Sequence, residues 1–278
     1  MKRIAVLLTV YNRREKTLLC LKNLFAQEIP SGYAINVYLT NDGCTDGTPE
    51  SVRQQFPQVH VIDVAGNLYW NRGMWTAWEI ASKEYDYDYY LWLNDDTFLL
   101  PFSLGYLLKC SKRNTNKAII IGATADTKTR SKITYGGWLM DDSLMIPNGL
   151  DQQAAYMNGN LVLVPKFVYD LVGNFDPYFT HSKGDFDYGK RARKLGILLI
   201  LAPEILGLCD KHDHIDKWCD PSVPLLQRLK LMKKPNGMPA NETFHLERRH
   251  EGVLNASFHY CTIYLRCIFP WIWSFRRK

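Results

Sequence analysis

The stretch Ile4-Ala5-Val6-Leu7-Leu8-Thr9-Val10-Tyr11-Asn12-Arg13 decides how the rest of the chain is read. A nearly unbroken apolar run stops sharply at three polar residues. A strand with one wet face would alternate. A run without alternation suits a strand covered on both faces, as in a parallel sheet flanked by helices. Thr17–Ala26 follows with apolar residues at 18, 21, 24 and 25, the spacing of a helix face. Ala34–Leu39 reads as a second strand, stopped by Thr40-Asn41-Asp42-Gly43, and a helix starts near Thr48. Val59–Val64 reads as a third strand, Met74–Ser82 as a third helix and Tyr89–Leu93 as a fourth strand. Strand and helix alternating at this spacing predict an α/β protein with a doubly wound, mostly parallel sheet.

Beyond residue 100 the pattern changes. Ile119–Gly122, Ile133–Tyr135 and Leu161–Val164 are short strand candidates between Gly-rich turns, which predict a smaller mixed or antiparallel addition. Gly184–Leu195 reads as a basic helix and Ile197–Leu201 as a late buried strand. After Cys209 the pattern loosens into a His- and Asp-rich loop, two basic helical stretches and an apolar tail, Phe258–Phe275. One domain is expected over residues 1–215, in halves 1–100 and 101–215, with a basic, helical C-terminal extension over 216–278.

The composition, 46% hydrophobic and 22% charged over 278 residues, suits one large globular domain with an appendage. The net charge of +6 is a C-terminal property: Val223–Lys278 holds ten Lys or Arg against three acids, leaving 24 basic and 25 acidic residues before it. That points to an anionic surface near the C-terminus and away from a nucleic-acid stripe spread through the fold. Seven cysteines, odd in number and without a CxxC pair, fit a reducing cytosol better than a disulfide framework. Met1-Lys2-Arg3 runs straight into the first strand, so no secretory leader is expected. The high Trp and Tyr counts, 8 and 16, fit either ligand stacking or a ring-rich core.

Ligands of open parallel sheets bind at the carboxyl ends of the strands. Here those ends are polar: Thr9–Arg13, Asn41–Thr48, the Gly66–Gly73 segment and Asn94–Thr97. No GxGxxG or Walker sequence is present, which argues against a dinucleotide enzyme or a P-loop kinase. Asp95-Asp96 is the sharpest local feature. Two carboxylates leaving a buried strand repel each other, so positive charge must compensate, and a divalent cation holding a diphosphate would do so. Taken alone, such a pair also serves as a turn signal or a helix N-cap.

Together these four segments resemble the nucleotide-binding half of the family 2 glycosyltransferases, which have the GT-A fold. In that family the first strand ends in a T-x-Y-N type sequence and the second in D-G-x-x-D-G-T. A G-N segment opens the third helix, and an acidic pair follows the fourth strand. A later block is similar to the family's acceptor side: Met157–Asn160, Val172–Asp176, Gly184–Gly189 with Arg191-Ala192, and Leu195-Gly196. The matches run in order over roughly residues 4–203, and from Lys211 onward the likeness is poor.

The resemblance implies inverting, metal-dependent transfer of a sugar from a nucleoside diphosphate donor, such as a UDP-sugar. The acceptor would be a saccharide or lipid-linked hydroxyl, in cell-surface polysaccharide synthesis. Carried over residue by residue, Thr9, Tyr11 and Arg13 line the nucleoside pocket beside Asn12, and Asp42 reads the base edge. Asn67 and Asn71 approach the ribose or diphosphate, with Trp70, Gly73 and Asn94 alongside. Asp95 and Asp96 form the acidic pair, with Asp96 the contact to Mn or Mg, and Asp185 is the general base. The sequence departs from the family where Gly184 replaces an acid, so the base is Asp185 or Asp187, the other capping the helix. A late His, His212 or His214, is a candidate further metal ligand. Trp70 and Trp75 flank the third helix start, where they either stack on a ligand ring or pack the helix on the sheet.

Two other functions fit the residues less well. A sugar nucleotidyltransferase needs a Gly-rich, basic loop after the first strand, and Tyr11-Asn12-Arg13-Arg14 has no glycine. A non-catalytic carbohydrate-binding relative has no need of Asp95, Asp96, Asp185 and Asp187 together. The tail Phe258–Phe275 contains Arg266 and Pro270, which argues against a spanning helix. It reads as an interfacial helix with Trp271 and Trp273 at headgroup depth and Arg276-Arg277-Lys278 on anionic lipid at the inner face of the plasma membrane, or as a helix packed on the domain.

Overall fold

All seven residues Ile4–Val10 are buried in strand β1 (Lys2–Val10), as a strand covered on both faces requires. The computed structural model describes residues 1–211 and 216–274, the last two as backbone only. From β1 the chain alternates through α1 (Arg14–Phe25), β2 (Tyr33–Asn41), α2 (Thr48–Gln55), β3 (Val59–Asp63), α3 (Tyr69–Glu84) and β4 (Tyr89–Leu93). Next come β5 (Phe98–Leu99), α4 (Ser103–Arg113), β6 (Ile119–Ala125), β7 (Ile133–Tyr135), β8 (Gly137–Trp138), β9 (Gln152–Ala154) and β10 (Tyr156–Met157). β11 (Leu161–Pro165), α5 (Lys166–Val172), α6 (Gly184–Lys194) and β12 (Leu199–Leu208) complete this part.

The main sheet runs β3-β2-β1-β4-β11-β6-β12-β5. β1, β2, β3 and β4 are parallel, and β12 is parallel to β6. β11 lies antiparallel between β4 and β6, while β8 and β10 form a separate antiparallel pair. The expected α/β architecture, mostly parallel with an antiparallel addition, is therefore found. The sequence marks the start of α4 poorly, since Pro101 precedes it and Gly105 sits in its first turn, although Leu104, Leu107 and Leu108 are all buried. β12 extends past the expected end: its register shifts after Leu201, next to Pro203, and pairing resumes at Ile205.

One face of the sheet is covered by α1, α2 and α4. The other carries a cluster of rings, with Trp92 packed at 5.5 Å from Trp78 and 4.4 Å from Phe175, and Tyr188 of α6 against both tryptophans. Many of the rings are thus core. Tyr188 has no exposed surface and anchors α6, which matters for the residue three positions before it.

Contacts divide the chain into two units. The first comprises Met1–Pro177 and Asp185–Lys211; the second comprises Tyr178–Gly184 with the described residues beyond Lys211. The second unit holds a short 3-10 turn (Lys217–Cys219), α7 (Leu225–Met232), α8 (Ala240–His250), α9 (Val253–Ile268) and α10 (Trp271–Ser274). Its own small core contains Trp218, Met232, Ala240, Ile263 and Cys267. Arg228 of α7 is buried and donates to the carbonyls of Cys267, at 2.8 Å, and Ile268, at 3.2 Å, satisfying acceptors that the end of α9 leaves open. The segment 178–184 is strapped to α8: the Thr180 amide donates to Glu242 Oε1 at 3.0 Å, and Tyr178 stacks on His245 with centroids 3.9 Å apart. The expected tail is thus not a continuous unit from Phe258: α9 starts earlier, at Val253, and ends before Pro270.

Candidate active site

β4 delivers the acidic turn. Asp95 and Asp96 are each 5% exposed, and Arg13, just past β1, lies against both. Its Nη1 is 3.2 Å from Asp95 Oδ1 and 2.9 Å from Asp96 Oδ2. The charge that must compensate the pair is, in this structure, a guanidinium. Thr17 Oγ1 donates to Asp95 Oδ2 at 3.4 Å. Even so, burial pushes the Asp95 carboxyl up to about 7; Arg13 opposes the rise and Asp96 adds to it. Further positive charge at this turn would therefore be stabilising. Cys209, just past β12, sits with Sγ 3.7 Å from Asp96 Oδ1; burial and that carboxylate raise its pKa to about 12, so it stays a thiol.

The acid pair suits a hard divalent cation in kind. Mg and similar ions commonly take one or two carboxylates and complete their shell with substrate phosphates and water. Among the described residues no group of three or more His, Cys, Asp or Glu side chains comes together to form a protein-only metal cage. His212 and His214, the candidate further metal ligands, lie outside the described residues.

Asp42 is buried, and its two carboxylate oxygens accept from the Leu68 and Tyr69 amides, each at 2.8 Å. It caps α3 from a distant strand, which explains why α3 begins at Tyr69, five residues before the local pattern starts. Asn67 and Tyr69 sit here with positive φ, 67° and 57°. Three residues expected at the nucleotide take part in seating α3. Thr9 lies under the helix, where a Cβ on Gly73 would overlap its Oγ1, and Thr40 Oγ1 donates to the Gly73 carbonyl at 2.9 Å. Asn71 is fully buried and donates to the Asp176 carbonyl at 2.8 Å. Tyr11 stays 60% exposed, and Asn12 accepts from the Thr45 amide at 2.8 Å. Gly73→Ala should consequently destabilise the protein by about 1–3 kcal/mol through overpacking. A urea midpoint unchanged from wild type would contradict this packing.

Trp70 joins the acidic turn to the other side of the site. Its indole Nε1 donates to Asn94 Oδ1 at 2.7 Å, and its six-membered ring lies so close to Gly159 that a Cβ there would stand 2.5 Å from Cη2. The Gly159 amide in turn donates to Asp185 Oδ2 at 2.9 Å. The Asn94 amide also donates to the Asn160 carbonyl at 3.0 Å, so the two loops are joined through backbone as well. Asp185 is in the first turn of α6, where the helix dipole favours a carboxylate, and its Oδ1 accepts from the Phe186 amide at 2.9 Å. Burial outweighs these hydrogen bonds and raises its pKa to about 6.

Asp187 is placed differently from what a catalytic role requires. It has no exposed surface, and its Oδ2 accepts from Arg191 Nε at 2.8 Å. Arg191 also donates to the Val172 and Asn174 carbonyls, at 2.7 and 3.0 Å. A carboxylate enclosed this way ties α6 to the turn after α5 and cannot meet an acceptor hydroxyl. The sequence reading missed the Arg13 counter-ion and the Trp70–Gly159 contact. Their only local signals were an arginine just beyond β1 and a glycine in the Met157–Asn160 loop.

Residues 5–170 match the model of a family described as glycosyl transferase family 2. The chain is 22% identical to the N-acetylglucosaminyl-diphospho-decaprenol L-rhamnosyltransferase of Mycobacterium tuberculosis over 197 residues, 61% of this chain and 64% of that protein, so it spans less than two thirds of that relative. The crystal structure of S. aureus TarS 1–349 in complex with UDP-GlcNAc is similar with a TM-score of 0.57 at 13% identity, over 93% of this chain and 73% of that one. GalNAc-T7 with UDP, GalNAc and Mn2+ gives 0.56 at 13% identity, over 73% of this chain and 42% of that one. At such identities the structural likeness speaks for the fold alone, here the GT-A arrangement. The family match covers more than half of the chain, and the chain belongs to glycosyl transferase family 2.

Proposed function

We propose that this protein is an inverting glycosyltransferase moving a sugar from a nucleoside diphosphate sugar, of the UDP kind, to a hydroxyl of a saccharide or lipid-linked acceptor in cell-surface polysaccharide synthesis. The observation that carries the reading is the pairing of two carboxylate stations through Trp70: the acid turn Asp95-Asp96 on one side, Asp185 on the other. The names of similar proteins support the chemical classes. TarS is described with UDP-GlcNAc, and the mycobacterial relative is named for a diphospho-decaprenol acceptor. All seven cysteines are free, which supports a reducing compartment, the cytosol.

In the proposed reaction Asp185 accepts the proton of the acceptor hydroxyl as that oxygen attacks the anomeric carbon. The bond from that carbon to the phosphate oxygen breaks on the opposite face, and its electron pair leaves with the diphosphate, so the configuration inverts. Asp95 and Asp96 are the residues that would hold Mn or Mg, which when bound supplies counter-charge to the leaving diphosphate. Arg13 offers its remaining N–H groups to phosphate oxygens, as arginine does bidentately. Tyr11 and Asn12 frame the nucleoside, while Asp42 keeps the Asn67–Tyr69 turn in place. Trp70 separates the two stations and gives a sugar ring a face to rest on.

The raised pKa of Asp185 gives a pH test. The base form is required, so the rate should be level above pH about 7 and fall roughly tenfold per unit below pH about 6. A kcat/KM profile flat from pH about 5 to about 8 would remove Asp185 from this role.

A further inference from the structure

Helix α9 has two apolar faces, and only one is covered. Ala256, Ile263 and Cys267 point into the small core of the second unit. Leu254, Phe258, Cys261 and Leu265 lie within about 60° of one another on the other side of the helix, at 100° per residue. All four are exposed; Leu254 and Phe258 are 83% and 65% accessible. The stripe is about 16 Å long at 1.5 Å per residue. It continues past the helix end into exposed Phe269, Trp271 and Ile272.

Arg228 brings α7 to that same end of α9; α7 adds exposed Leu225, Leu226 and Lys230, and exposed Lys233 and Lys234 follow it directly. A soluble protein rarely leaves such a run of large apolar side chains open unless something covers it. The charge around it selects the partner. From Val223 to Lys278 there are ten Lys or Arg against three acids, and two of those acids, Glu242 and Glu247, are turned inward to the strap and to His259. Among the described residues no helix is long and apolar enough to cross a membrane.

We infer that the exposed face of α9, with the tip of α7, is a docking surface for an anionic lipid bilayer, lying in the interface rather than spanning it. The apolar stripe enters the boundary between headgroups and acyl chains, and the lysines meet lipid phosphates. This rests on the second unit's own surface and is independent of the proposed transfer.

The test is flotation of the full chain with vesicles of equimolar phosphatidylglycerol and phosphatidylcholine, compared with phosphatidylcholine alone. The wild type should float with the anionic vesicles, lose most of that binding in high salt, and stay down with the neutral ones. The double variant Leu254→Glu with Phe258→Glu should bind about tenfold more weakly or worse, with an unchanged circular dichroism spectrum and unchanged transfer to a water-soluble acceptor. Because both side chains are exposed, the fold has no reason to fail; should the double variant nonetheless be unstable, Leu226→Glu with Lys230→Glu on α7 gives the same reading. Wild-type protein that fails to float with anionic vesicles would overturn the inference, as would folded variants that float like wild type. So would light scattering that finds a wild-type dimer and a monomeric variant, since the face would then belong to a second copy.

Discussion

Asp185→Asn is expected to lower the transfer rate by about 10²–10⁴-fold while the donor still binds. Both oxygens of Asp185 already accept amide hydrogen bonds, from Gly159 and Phe186, so its place is fixed before any substrate arrives. An amide side chain keeps the shape but cannot take the acceptor's proton at neutral pH. One cost is local: the new NH2 faces one of those backbone amides and loses a hydrogen bond, about 0.5–1.5 kcal/mol. That is far too little to account for the rate loss, and donor affinity measured by calorimetry separates the two effects. Asp187→Asn should behave in the opposite way. It leaves Arg191 without its charge partner beside a buried site and should destabilise α6 by about 3–5 kcal/mol. Folded Asp187→Asn without activity, beside active Asp185→Asn, would exchange the two assignments.

The other large effect is expected at Asp96. Asp96→Asn removes half of the negative charge that the acid turn presents, so Arg13 settles on Asp95 and divalent-dependent nucleotide binding weakens. Loss of one preorganised electrostatic partner of a leaving group costs about 10²–10³-fold in turnover. The fold should hold, because Asp96 is met by Arg13 and Cys209 side chains, and asparagine fills the same volume. Titration of UDP with and without manganese reads the effect directly. Equal manganese dependence in wild type and variant would take Asp96 out of the metal's reach, and undiminished wild-type activity in chelator would end the metal reading.

Much of the fold was legible because the deciding signals are local. Apolar runs such as Ile4–Val10 and Tyr89–Leu93 have few other structures open to them, and each ends at a polar turn that the sheet topology brings to one edge. The acid turn was legible for the same reason: adjacent aspartates leaving a buried strand demand a counter-charge. Which cation supplies it was not legible, because Arg13 is 82 residues from Asp95 and only the pairing of β1 with β4 brings them together. The start of α3 was hidden likewise, since its cap comes from Asp42 rather than from the preceding residue. Thr9, Asn71 and Gly73 were expected at the nucleotide from the family resemblance, which carries residue types and not their packing. The structure adds that Thr9 and Gly73 meet where α3 lies on β1 and that Asn71 is buried against the Asp176 carbonyl. Two basic helical stretches before an apolar tail are legible in the C-terminal region, but the bounds of α9 are not, because sequence periodicity cannot tell a covered face from an open one.

The most direct test of the account is release of nucleoside diphosphate by the purified full-length chain. A panel of common nucleotide sugars would be offered with manganese, to wild type, Asp185→Asn and Asp96→Asn. The account predicts that wild type releases the diphosphate from at least one donor, that Asp96→Asn loses this release, and that Asp185→Asn loses acceptor-dependent release while slow hydrolysis by water persists. Release that is the same in all three proteins, or absent for every donor in a folded wild type that binds nucleotide without manganese, would contradict it.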